Sequence, residues 1–265
     1  MTPPVVLTIA GSDSGGGSGI QADLRVFAAL RTHGTSVVTA VTAQNTRAVN
    51  DVYPLPGNVV AVQLNAIVDD YRVAATKIGM LASAEVAAAV SAKARAGALP
   101  NIVLDPVLES STGRRLGVVT AIERLLPYAT VATPNREEAS ALVGWQVTSP
   151  ADMAGAAGQL AAGGPKYVVV TGGDLAGEEA VDAVWTEAGA RFLRYPRIVS
   201  RNTHGTGCSF SAAIAARLAL GDSPPDAMVF AKEYVARAIT GARHWQLGSG
   251  GGPLDQFGWD LSIGA

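Results

Sequence analysis

Residues 5–30 read VVLTIAGSDSGGGSGIQADLRVFAAL. The run 5–10 is short and almost wholly apolar, the pattern of a strand covered on both faces, and therefore of a parallel strand inside a sheet. Ile20, Leu24, Phe27, Ala28 and Leu30 then recur in steps that keep one helical face apolar. A strand, a glycine-rich turn and an amphipathic helix make the opening of a crossover unit. The same alternation continues along the chain. Strands are expected at 36–42, 74–78, 102–104, 130–132 and 167–171, with an antiparallel edge hairpin at 180–195. Helices are expected at 60–71, 84–96, 118–126, 135–143, 151–162, 207–220 and 224–243. This order predicts an α/β fold with a central, mostly parallel sheet flanked by helices.

The chain has 265 residues with 20 basic and 22 acidic side chains, a net charge of −2, and 48% hydrophobic content. Disorder and a disulfide scaffold are excluded on these figures. The near-neutral balance, without runs of like charge, leaves no footprint for nucleic acid or an anionic membrane. A small-molecule partner is expected. Cys208 is the single cysteine, so no intrachain disulfide forms, which suits a reducing, cytoplasmic setting. No secretion signal or membrane span is read, and one domain over 1–265 is expected. The glycine-rich stretch 248–252 reads as a flexible connection to a docking segment, 253–261.

Ligands of open parallel sheets bind beyond the carboxyl ends of the strands. Three groups of residues fall there. The loop Gly11 to Gly19 is rich enough in glycine for its backbone to approach a ligand closely, yet it fits neither the dinucleotide fingerprint nor the P-loop. It is a phosphate cradle, a tight substrate wall, or merely a turn. Asn202-Thr203-His204-Gly205-Thr206-Gly207-Cys208 opens a helix, and Gly205, Thr206 and Gly207 would present backbone amides to an anion at its positive end. Cys208, in the first turn, is expected to have its thiolate favoured and to serve as a base, or else to be a small buried hydrophobe. His204 is read as a turn residue. Asp105 and Glu138 are carboxylates suited to Mg2+, and either could equally be a helix cap or a surface acid. Gln44, Asn135, Thr171, Gly172 and Gly173 also follow strand ends.

Taken together, LTIAGSDSGGGSGIQAD (7–23), TAQNT (42–46), KIGML (77–81), VLDPV (103–107), Thr133 to Asn135 with Glu138, and NTHGTGC (202–208) resemble the hydroxymethylpyrimidine and phosphomethylpyrimidine kinases of thiamine biosynthesis. These belong to the ribokinase-like superfamily. The resemblance implies a three-layer fold, ATP as phosphoryl donor, Mg2+ as cofactor, and a homodimer. It implies two successive phosphorylations, first of 4-amino-5-hydroxymethyl-2-methylpyrimidine and then of its monophosphate. Carried over, Gln44 reads the aminopyrimidine edge, and Asp23, Ser18, Met80 and Val107 line the same pocket. Asn135, Thr171, Gly172 and Gly173 face ATP, and Asp105 and Glu138 hold the metal. Gly205, Thr206 and Gly207 form the anion cradle beside Cys208 as the general base.

Two positions depart from the family pattern. Many members carry lysine where this chain has Thr171 and Ser111, and Arg114 and Arg115 are expected to compensate. Gly113 and Gly117 are expected hinges of a closing loop. Thr171 also raises a rival, pyridoxal kinase of the same superfamily, although Gln44 favours the pyrimidine. A non-catalytic pyrimidine-binding protein is the alternative from another class.

Overall fold

The computed structural model describes residues 2–108, 117 and 119–259. Ser111, Gly113, Arg114 and Arg115 lie outside the described residues.

Among the described residues nine strands form one sheet: β1 (Val5–Asp13), β2 (His33–Gln44), β3 (Val49–Pro54), β4 (Val73–Ile78), β5 (Ile102–Leu104), β6 (Val131–Ala132), β7 (Tyr167–Val170), β8 (Glu179–Thr186) and β9 (Gly189–Pro196). Their spatial order is β3-β2-β1-β4-β5-β6-β7-β8-β9. The six central strands are mutually parallel, and β3, β8 and β9 pair antiparallel at the two edges. Alternation along each strand divides the interior in two. Leu7, Ile9, Ile102, Leu104, Val168 and Val170 face a core closed by α2 (Gly57–Val68), α3 (Ala84–Arg95), α4 (Val119–Glu123), α5 (Arg136–Val143) and α6 (Pro150–Ala161). Val6, Val103, Val131 and Val169 face the other, closed by α1 (Gly19–Ala29), α7 (Thr206–Ala219) and α8 (Pro224–Gly241). Burial on both faces accounts for the unbroken apolar runs in the sequence.

Three expectations change. β1 does not end at Ala10; after a register shift between Ala10 and Ser12 it continues to Asp13, so only Ser14 to Ser18 bridge it to α1. β3 is a strand that the apolar pattern of residues 49–54 does not signal. Residues 248–252 are not a loose connection, because Gly250 N donates to Thr46 Oγ1 (3.1 Å) and Gly252 N to Asn202 Oδ1 (3.0 Å). A Cβ at Gly250 would collide with the Thr46 carbonyl, so the segment is glycine-rich because it is pressed against its neighbours. Beyond it, Leu254, Asp255 and Gln256 are buried. Among the described residues no helix is long and apolar enough to cross a membrane.

Candidate active site

A cleft of about 1220 Å³ opens at the carboxyl ends of the parallel strands. Beside β1 the chain leaves in opposite directions, through α1 to β2 over one face and through β3 and α2 to β4 over the other. Such switch points create a crevice. Of the expected residues, Ser18, Gln44, Met80, Asp105, Val107, Asn135, Glu138, Thr171, Gly205, Thr206, Gly207 and Cys208 line it. Asp23, Gly172 and Gly173 do not.

At one end Asp13 organises the glycine loop. Its Oδ1 accepts from Gly15 N (2.8 Å), and its Oδ2 accepts from Gly17 N (3.0 Å), Ser18 N (2.8 Å) and Ser18 Oγ (3.0 Å). His204 Nε2 lies 3.1 Å from the same Oδ2, tying the β1 loop to the segment that precedes α7. Burial alone would raise the Asp13 carboxyl, but His204 and the backbone donors outweigh it and hold it below its ordinary value of 3.8. His204 is therefore no mere turn residue; it also meets the Gln44 side chain at 3.1 Å. Gln44 is fixed from behind by Ser14 Oγ, which receives its N–H (2.8 Å) and donates to its carbonyl (2.7 Å).

Beneath the middle of the cleft lies a buried charge cluster. Lys77, on β4, has no solvent exposure and donates to Asp23 Oδ2 at 2.9 Å, with Asp105 Oδ2 at 3.7 Å. Asp23 is the corrected expectation: its carboxylate points under the floor, bound to Lys77 and to Thr8 Oγ1 (2.6 Å), rather than into the pocket. Burial would lower the Lys77 ammonium, but Asp23, Cys208 and Asp105 together hold it above its usual range. Gly205 sits before α7 with φ of 84°, against the Gly17 carbonyl, where a Cβ would collide. Thr206 N donates to Thr203 O (3.2 Å), and Gly207 and Cys208, the next residues of the helix start, line the cleft. The expectation of a favoured thiolate at Cys208 is reversed. Burial pushes the thiol up to about 12; Lys77 and the Gly19 N–H pull down, while Asp105 and Asp23 add to the rise.

At the far end Asn135 caps α5. Its Oδ1 accepts from Glu138 N (2.9 Å) and its own N–H donates to Glu138 Oε2 (2.8 Å), the reciprocal pairing of a capping box. Glu138 is thus both a cap and a wall of the cleft. Burial, reinforced by the Asp105 charge, raises its carboxyl to about 8. Two buried carboxylates that repel each other across a cleft are the oxygen donors a hard dication would neutralise, so Asp105 and Glu138 fit Mg2+. No group of three potential metal ligands occurs among the described residues.

Thr171 lines the cleft, but Gly172 turns its N–H back onto Asp182 Oδ1 (3.1 Å), and a Cβ there would strike the Val181 carbonyl. Lys232 Nζ holds the other oxygen of Asp182 at 2.6 Å. Gly173 gives its carbonyl to Arg197 Nη1 (2.7 Å). Gly172 and Gly173 shape this loop rather than contact the cavity.

Sequence reading passed over Asp13, His204, Lys77, Gly250 and Gly251 as site residues, and all five line the cleft. The signal for Lys77 was available: a lone lysine between Thr76 and Ile78 on a buried strand requires an acidic partner.

The description "Phosphomethylpyrimidine kinase" belongs to a family that matches residues 13–255. A hydroxymethylpyrimidine/phosphomethylpyrimidine kinase of Streptomyces coelicolor is 49% identical over 265 residues, covering 98% of this chain and 97% of the relative. The pyridoxal kinase from Staphylococcus aureus, solved with AMP-PCP and pyridoxal, matches with a TM-score of 0.89 at 34% identity, covering 98% of this chain and 96% of that one. The phosphomethylpyrimidine kinase of Clostridium difficile 630 matches with a TM-score of 0.77 at 38% identity, covering 89% of this chain and 99% of that one.

Proposed function

Because the chain belongs to the phosphomethylpyrimidine kinase family, we propose that it is the ATP-dependent kinase of 4-amino-5-hydroxymethyl-2-methylpyrimidine. It then phosphorylates the monophosphate to the diphosphate, for thiamine diphosphate biosynthesis. The observation that carries this reading is that Gln44, an amide able to pair with an aminopyrimidine edge, lines the same cleft as Cys208 and the helix start at Gly205.

In this reading Met80 and Val107 supply apolar contact for the flat ring and Ser18 closes its side. Gly205, Thr206 and Gly207 cradle the transferring phosphoryl group at the positive end of α7. Asn135 and Thr171 border the triphosphate. A dication held by Asp105 and Glu138 would neutralise charge on the phosphate oxygens during transfer. Cys208 takes the hydroxyl proton; burial holds its thiol at about 12 even with the Lys77 charge opposing the rise, so it acts through the small fraction present as thiolate. A cytoplasmic location, which the single cysteine suits, and a homodimer, which rests on the resemblance, belong to the same reading.

The test is mass spectrometry of products after incubation with Mg-ATP and either the pyrimidine or pyridoxal. Pyrimidine diphosphate is expected. Pyridoxal phosphate as the main product would favour the activity named for the Staphylococcus relative, whose fold match is the closer of the two structures above. Absence of product from both would leave a binding protein.

A further inference from the structure

Gln44, His204, Asp13 and Thr42 form a chain of contacts with only one set of proton positions that satisfies all of them. The Gln44 amide lies between Thr42 Oγ1, 3.2 Å from Oε1, and His204 Nε2, 3.1 Å from the amide Nε2. In that orientation the amide N–H needs a bare imidazole nitrogen as acceptor. The same nitrogen is 3.1 Å from Asp13 Oδ2, and a carboxylate can only accept. A bare Nε2 would then face the carboxylate lone pair to lone pair. Protonating Nε2 satisfies Asp13 but sets N–H against N–H at Gln44.

Rotating the amide by half a turn removes the conflict, since its oxygen and nitrogen fill nearly the same space. The carbonyl then shares the His204 proton with Asp13. At the other end Thr42 Oγ1 already has an acceptor for its one hydrogen, Ser12 O at 3.0 Å, so its lone pairs can receive the amide N–H.

We infer that His204, protonated on Nε2 against Asp13, is a positioning residue that sets the Gln44 amide with its carbonyl toward His204 and its N–H toward Thr42, and so fixes the direction in which the pyrimidine edge is read. This deepens the proposed function and rests on it. In the substrate the ring order is N3, C4 bearing the amine, C5 bearing the hydroxymethyl. The amine seeks the carbonyl and N3 the amide N–H. C5 therefore falls on the His204 side, the side that leads on to Gly205 and Cys208. The opposite amide orientation reverses the ring and turns the hydroxymethyl away from the cradle. A 4-oxo analogue, with a donor at N3–H and an acceptor at O4, has the reversed pattern and is read the wrong way round.

The experiment compares kcat/KM for the 4-amino substrate and its 4-oxo analogue in the wild type, His204→Leu, His204→Gln and Thr42→Val. AMP-PCP thermal shifts report the folded nucleotide end in each. The wild type is expected to prefer the amine by at least 100-fold. His204→Leu and Thr42→Val are expected to narrow that preference at least tenfold, with kcat for the 4-amino substrate falling more than its KM rises, because the ring still binds but the wrong way round. His204→Gln, which keeps a donor for Asp13, recovers part of it. If His204→Leu loses the AMP-PCP shift, Thr42→Val, which leaves the 202–208 segment untouched, decides alone. Folded variants that retain the wild-type preference overturn the inference, whereas a wild type that phosphorylates neither pyrimidine overturns the proposed function instead.

Discussion

Lys77 and Cys208 divide the labour of one buried site. Lys77 is wholly enclosed with Asp23 beside it, and removing one member of such a pair strands the other charge in a low-dielectric interior. Lys77→Met is expected to cost about 3–5 kcal/mol of stability, measured by urea unfolding. Adding Asp23→Leu should recover much of the loss, because the orphaned carboxylate goes too. Cys208→Ser should lower kcat on the order of 100-fold while isothermal titration shows pyrimidine affinity little changed; an unaltered kcat would remove the thiol from the reaction. The two residues also mark where sequence reading stops. Cys208 was legible because it sits within a motif at a helix start. The partnership of Asp23 with Lys77 joins residues far apart in the chain, and helical spacing alone cannot say whether Asp23 points into a cleft or beneath it. The same distance hid His204 and Asp13 from each other, since neither residue's neighbours hint at the other.

Elements were legible where the sheet buried them. The central strands announced themselves because both faces are covered, so β5 and β7 read as plain apolar runs. β3 did not, because it has one neighbour, ends on Pro54 and carries Asn50 and Asp51, with only Val49 buried. Its strand conformation comes from pairing with β2 rather than from its own pattern. At the opposite end the Thr171 loop takes its shape from elements behind it: α8 supplies Lys232, which grips Asp182 of β8, which in turn holds Gly172 N. Lys232→Met should therefore raise KM for ATP several-fold while KM for the pyrimidine stays near wild type, and should cost about 3 kcal/mol through the uncompensated Asp182. Equal changes in both KM values would mean that the grip is structural only.

Across the whole molecule, Asp13 makes the join between the glycine loop and the α7 entry acid-sensitive. Its folded-state value lies below 3.8, its ordinary one, so its contribution is complete above that value and disappears as pH falls through the folded value. The stability gap between the wild type and Asp13→Asn should be constant above about pH 5 and shrink below about pH 4, as followed by thermal melts. A gap independent of pH would show that the carboxylate charge contributes nothing. The cleft also has a wall built from a distant part of the chain, for Gly250 and Gly251 line it together with residues of the loop that begins near residue 13. Those glycines are synthesised after all nine strands. A nascent polypeptide thus holds its whole sheet before this wall of the cleft exists. Premature termination before residue 248 should leave an inert product rather than a partly active one, making this short stretch a checkpoint between a folded chain and a working one.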